Sequence, residues 1–154
     1  MAFPNTILRQ PAVGLAGQIA DMQNAQVVSG VCQNANITPG NGVGWVSADS
    51  ADGVRPSVVS LQQFRGIAIL DTTREINGVA NNPYVVGEAV SILTKGTIWI
   101  SVAGAVTPAD IVTVSTTGVI DKTPADGTHF QLLQARWETS TTGAGIARLS
   151  LNLM

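Results

Sequence analysis

A chain of 154 residues with 45% hydrophobic residues is long enough for one domain with a real core. Charged residues make up only 12%, about half the usual share, and the formal net charge is −2. That excludes a basic footprint for nucleic acid and a polybasic patch for a membrane surface. So little charge leads us to expect that part of the surface lies against other protein, because interface cores are depleted in charge. A β surface rich in Ser, Thr, Asn and Gln is the alternative.

The chain opens MAFPNTILRQPAVG. No basic region precedes a long apolar run there, so no signal peptide is expected. No stretch approaches the roughly 18 apolar residues of a membrane helix, and assembly inside a cell is the expectation. Residues 1–17 carry Pro4, Pro11, Gly14 and Gly17 with apolar residues between them. Prolines so spaced oppose a helix and favour extended backbone. With Phe3, Ile7, Leu8 and Val13 the segment is too apolar for a solvated leader. We read it as an extended arm of up to roughly 50 Å, lying on its own domain or reaching a neighbour. Leu15, Ile19 and Met22 have helical spacing, but Gly17 and the short length argue against a stable helix.

Residues 18–154 read as a single β domain. Gln26–Gly30 and Trp45–Ala48 are short strand candidates separated by a Gly/Asn-rich loop. Val58–Leu61 and Gly66–Leu70 follow, then the turn signal Asn77-Gly78. Tyr84–Val86 and Ala89–Leu93 lead into Lys95–Ile120, where the pattern is strongest. There Ile98, Ile100 and Val102 alternate with Trp99, Ser101 and Ala103, the period of a strand with two unlike faces. Pro108 and Asp110 sit in a turn-forming segment, and Val112 and Val114 alternate again with Thr113 and Ser115. The economical reading of two such runs is an antiparallel hairpin. Asp126-Gly127 marks a turn before Gln131–Glu138, and Gly143 and Gly145 precede a last strand, Ile146–Leu153. About nine or ten short strands without a long helix predict an all-β fold, a small antiparallel β-barrel or jelly-roll-like sandwich with an extended N-terminal arm.

No catalytic set emerges. Ile69-Leu70-Asp71-Thr72-Thr73 has Thr73 where an aspartic-protease site needs glycine, so Asp71 is expected to end a strand. Gly40, Gly42 and Gly44 lack the Lys-Ser/Thr of a phosphate loop and read as a loop between strands. His129 is the single histidine, which rules out a His-based metal cluster, and no Gly-x-Ser-x-Gly elbow supplies a nucleophile. His129 is expected at the surface where a strand starts. Cys32 is a lone cysteine, so no intrachain disulfide can form, and a small buried thiol is expected. Trp45, Trp99 and Trp137 fall on three strand candidates. Trp99, opposite Ile98 and Ile100, is either core in a two-layer sandwich or an anchor for a partner subunit.

The order of these features resembles the structural cement, or head-decoration, proteins of tailed bacteriophages. The resemblance rests on the apolar tail ending Pro11-Ala12-Val13-Gly14-Leu15-Ala16-Gly17-Gln18, the glycine-led strand Gly42-Val43-Gly44-Trp45-Val46, and Phe64-Arg65-Gly66-Ile67-Ala68-Ile69. It continues through Val86-Gly87 to Gly96-x-Ile98-x-Ile100-x-Val102, then Val106-Thr107-Pro108-Ala109-Asp110-x-Val112. It implies a small β protein without catalytic residue or cofactor that binds the outer face of the capsid as a homodimer or homotrimer. There it would staple neighbouring major capsid protein subunits after assembly in the host cytoplasm, with no nucleic-acid or membrane partner. Phe3, Ile7, Leu8, Val13 and Trp99 are the expected partner contacts. A carbohydrate-binding module that uses exposed Trp or Tyr as a sugar platform is the alternative from another class.

Overall fold

The computed structural model describes residues 14–46, 52–56, 58, 60, 63–72 and 82–153. Among them the chain is all-β, with no α-helix. Its strands are β1 (Ile19–Cys32), β2 (Gly42–Trp45), β3 (Gly53–Arg55), β4 (Phe64–Ala68), β5 (Ala89–Val102), β6 (Thr113–Ser115), β7 (Ile120–Asp121), β8 (His129–Gln131), β9 (Ala135–Trp137) and β10 (Gly145–Asn152). A seven-stranded sheet runs β1-β3-β2-β4-β5-β10-β9, and β1 also pairs with β5. The strands β1, β3, β2, β4 and β5 therefore close a ring. Every pairing in it is antiparallel except β1–β3, which is parallel. A second sheet, β7-β6-β8, has three strands.

This arrangement corrects the hairpin expected at Lys95–Ile120. β5 pairs with β1, β4 and β10, whereas β6 pairs with β7 and β8. The two alternating runs face each other across a core instead of sharing hydrogen bonds. Their apolar residues are real core positions: Ile98, Ile100, Val102, Val112 and Val114 are buried in one cluster. Gly42 and Gly44, read as loop from their spacing but as a glycine-led strand from the resemblance, belong to strand β2. The run expected as Gln131–Glu138 is broken into β8 and β9, and Val58 and Ser60 belong to no named strand. The Asn77-Gly78 turn lies outside the described residues.

Two apolar cores result, and β5 serves both. Inside the ring Cys32, Ile37, Val43, Val54, Ala68, Tyr84, Val90 and Ile92 pack together, and the Tyr84 hydroxyl donates to the Ile69 carbonyl at 2.7 Å. The larger core lies between the big sheet and the small one. It takes Leu93, Ile98, Ile100 and Val102 from β5, Ala147, Leu149 and Leu151 from β10, and Val114, Ile120 and Trp137. An undisturbed strand would put residues 92, 98, 100 and 102 on one face. β5 avoids this with a bulge, since Gln26 pairs with Lys95 while the next residue, Val27, pairs with Leu93. Thr94 is the extra residue, and its hydroxyl donates to the Gln26 carbonyl at 3.2 Å. The bulge flips the alternation, so Val90 and Ile92 serve the ring while Ile98 and Ile100 serve the second core. Trp99 is left facing away from that core.

Candidate partner interface

Of the five residues expected to carry partner contacts, Phe3, Ile7, Leu8 and Val13 lie outside the described residues. Trp99 is described, and it is half-buried. Its strand neighbour in β10 is Arg148. On its other edge the Gly17 N–H donates to the Trp99 carbonyl at 2.8 Å, and the Trp99 N–H donates to the Gln18 carbonyl at 2.9 Å. The segment that follows the arm is thus paired to β5 at Trp99 itself.

Residues 14–18 form a compact root. The Gln18 N–H donates to the Leu15 carbonyl at 2.9 Å, and the Leu15 N–H returns a bond to the Gln18 side-chain carbonyl at 3.1 Å. The Leu70 N–H donates to the Gly17 carbonyl at 2.8 Å, which ties the root to the chain leaving β4. Two glycines are required here. Gly14 lies directly on the indole, and a Cβ at this position would overlap Cδ1, Nε1 and Cγ of Trp99. Gly17 has φ +83°, a left-handed conformation that side chains with a Cβ rarely adopt, and a Cβ there would come within 2.7 Å of Pro39 Cβ. Sequence reasoning marked Gly17 as a helix breaker and Gly14 only as part of the extended arm. What each one approaches could not be read from the residues, because Trp99 and Pro39 are distant in the chain.

A groove of about 880 Å³ opens beside the root. Leu15 and Ala16 of the root form one wall. Pro39, Leu70, the end of β5 from Ser101 to Ala103, Val119 and Ile146 also line it, together with the polar Thr38, Asn41 and Asn82. Two large apolar side chains stand open to solvent there, Leu15 at 64% and Val119 at 43% exposure. Nothing in the sequence pattern grouped these residues, which come from both ends of the chain.

The other tryptophans are committed elsewhere. Trp137 is buried in the larger core, where its Nε1–H donates to the Ile111 carbonyl at 3.2 Å. The Trp45 ring carries the Arg65 guanidinium 4.5 Å from its centroid, a cation–π contact. Tyr84 is buried in the ring. With Gly14 on Trp99, each of these rings already has a protein partner on or around it, which disfavours a sugar platform.

The polar groups once weighed for chemistry are tied up in turns. His129 begins β8 as expected, with Nδ1 3.1 Å from Asp126 Oδ1 and Nε2 3.8 Å from Asp121 Oδ2. Both ring nitrogens face carboxylates, and the Thr128 hydroxyl, 3.1 Å from Nδ1, donates to the Asp126 carboxylate at 2.7 Å. The Asp126 carboxyl is held well below the usual carboxylate range, first by the Thr128 hydroxyl, then by the Thr128 N–H and by His129. Asp110 is lowered too, chiefly by the Thr107 N–H and then by Lys122, whose Nζ is 3.4 Å away. Cys32 is fully buried, with its Sγ 3.2 Å from the Ala35 carbonyl. Among the described residues no three His, Cys, Asp or Glu side chains group as metal ligands.

The family model described as "Structural cement protein (E217 gp24/Pam3 gp6)", a phage cement family, matches residues 3–152. A chain of the solved structure described as "The capsid of Myoviridae Phage XM1" superposes with a TM-score of 0.70. The two are 19% identical, and the match covers 99% of this chain and 98% of that one. At that identity the likeness speaks for the fold. Among curated protein sequences there is no significant match.

Proposed function

The chain belongs to the phage structural cement protein family, and from that premise we propose that it binds the outer surface of a tailed-phage capsid and cements neighbouring major capsid protein subunits. The observation that carries this reading is the match of the family model over residues 3–152, nearly the whole chain. A structural part in the phage virion is what that family does. The finer assignments are ours: the outer capsid face, the major capsid protein as partner, a homo-oligomer of this chain, and assembly in the host cytoplasm.

Cementing requires surface area and anchors, not a reacting group. The arm offers Phe3, Ile7, Leu8 and Val13, and its prolines lower the ordering cost of docking. Burying four such side chains would contribute on the order of 6 kcal/mol before ordering costs. Trp99 acts here as the seat over which that arm leaves the domain. The low charge of the chain suits a protein that works against other protein.

The test is retention on expanded capsids stripped of their cement protein. The purified chain should co-sediment with them, and a chain lacking residues 2–13 should fold but bind more weakly. A full-length chain that stays in the supernatant at saturating capsid would overturn the reading.

A further inference from the structure

We propose that the cleft beside Arg65, away from the groove at the root, receives a carboxylate side chain of the capsid protein. The inference rests on the reading of function given above and adds to it the chemistry of one contact.

Two β-bulges meet at this cleft. In β4 Val43 pairs with Gly66 and Gly44 with Phe64, so Arg65 is an extra residue with no partner on β2. In β5 the extra residue is Thr94, and there the strand changes neighbour, from β4 at Leu93 to β10 at Lys95. Between the parting strands opens a cleft of about 330 Å³, lined by both bulged residues. That gives room for one side chain from outside. Bulges re-aim side chains and gather at functional sites.

The cleft holds a cation without an anion. Arg65 is half-buried, and its Nε is buried with no hydrogen-bond partner. Among the described residues no carboxylate pairs with it, whereas Lys122 has Asp110 and Arg148 has Glu138. Its guanidinium lies over the Trp45 ring, 4.5 Å from the centroid. A guanidinium held on a ring is positioned in advance and keeps its N–H edge for a planar, two-oxygen acceptor. Exposed Gln134 adds an amide at the rim, and Phe64 and Leu153 supply apolar walls for the methylenes of a Glu or Asp. One guanidinium balances one carboxylate, whereas a phosphate would leave charge over.

A second copy of this chain has few such groups to offer. Asp21, Glu88, Asp110, Asp121 and Asp126 each accept a backbone N–H of their own turn, and Glu138 holds Arg148. The acid therefore comes from the protein to which the chain is cemented. Arg and Trp together are the residue types that anchor interfaces.

The experiment is titration of the full chain onto expanded capsids stripped of cement protein, with bound and free chain separated by sedimentation. Arg65→Gln should keep a cooperative melt and bind at least about tenfold more weakly than the wild type. Arg65→Lys keeps the charge without the two parallel donors and should fall between them. On capsids whose surface carboxylates have been converted to amides with carbodiimide and glycinamide, the gap between wild type and Arg65→Gln should close. Equal binding of these two to untreated capsids overturns the proposal. A gap that survives amidation overturns it too, since the acid would then lie elsewhere, and so does Arg65→Lys binding no better than Arg65→Gln. Should Arg65→Gln fail to fold, Arg65→Lys against the wild type on both capsid preparations decides by the same rule. A wild type left in the supernatant overturns the reading of function itself, whereas a bound wild type matched by Arg65→Gln overturns this contact alone.

Discussion

The root at residues 14–18 and the corner at residues 126–129 both fasten a loop to the end of a sheet, by opposite means. The corner is polar and self-contained. The Asp126 carboxylate accepts from the N–H groups of Thr128 and His129, at 2.9 Å each, and from the Thr128 hydroxyl at 2.7 Å. Its side chains bond to one another. The root is held by backbone bonds and by a glycine laid on an indole, and it leaves large apolar side chains beside it in the open. A segment that only had to close a loop would be built like the corner. The root's construction suits a chain that continues elsewhere.

Changes around Trp99 and around Asp126 can break this contrast. The largest effect belongs to Ile100→Asp, one residue from Trp99 on the core face. An ionised carboxyl among Leu149, Val102 and their neighbours should cost on the order of 4 kcal/mol, and loss of a cooperative melt would show it. If the domain tolerates the change, the sheet does not support the root as described.

Gly14→Val comes next. The new side chain strikes the indole, so stability should fall by about 1–3 kcal/mol with a red shift of tryptophan emission. Trp99→Ala in the same chain should relieve much of the strain, making the two changes strongly non-additive. Simple additivity would mean that Gly14 does not sit on the ring. Gly17→Ala forces a Cβ into a left-handed backbone and should cost about 1–2 kcal/mol in chemical denaturation.

The smallest effect is expected at the polar corner. With its folded pKa depressed, Asp126 contributes stability above the ordinary carboxylate value of about 4, and this is lost as pH falls toward the lower folded value. Asp126→Asn should therefore melt slightly below the wild type at neutral pH, and the gap should close in acid. A gap that widens in acid would reverse the sign of the argument. His129→Ala should leave capsid retention unchanged, and loss of retention by the folded variant would make the corner functional after all.

The sequence disclosed strands better than their partners. Alternation at Ile98–Val102 and Val112–Ser115 identified true core residues because burial imposes it locally. It could not say which strand each run pairs with, since hydrogen bonding to β10 or β8 is settled by packing far along the chain. The length of β5 was hidden for a related reason. Its bulge at Thr94 breaks the period at the point where the strand passes from one core to the other. β2 was partly masked by its glycines, which read as loop. Gly42 is so crowded by Phe64 and Val114 that a Cβ would come within 2.9 Å of each. Trp99 was singled out for the face it occupies, and that face was right. The groove beside it had no signature, because its walls come from stretches scattered along the chain from Gly14 to Ile146.

Closing the ring means joining strands that the chain makes far apart, such as Ile19 with Ile98. Such distant pairings fold slowly. Leu15 and Ile146 lie far apart in the chain, so the groove between them forms only after every strand from β1 to β10 has been made.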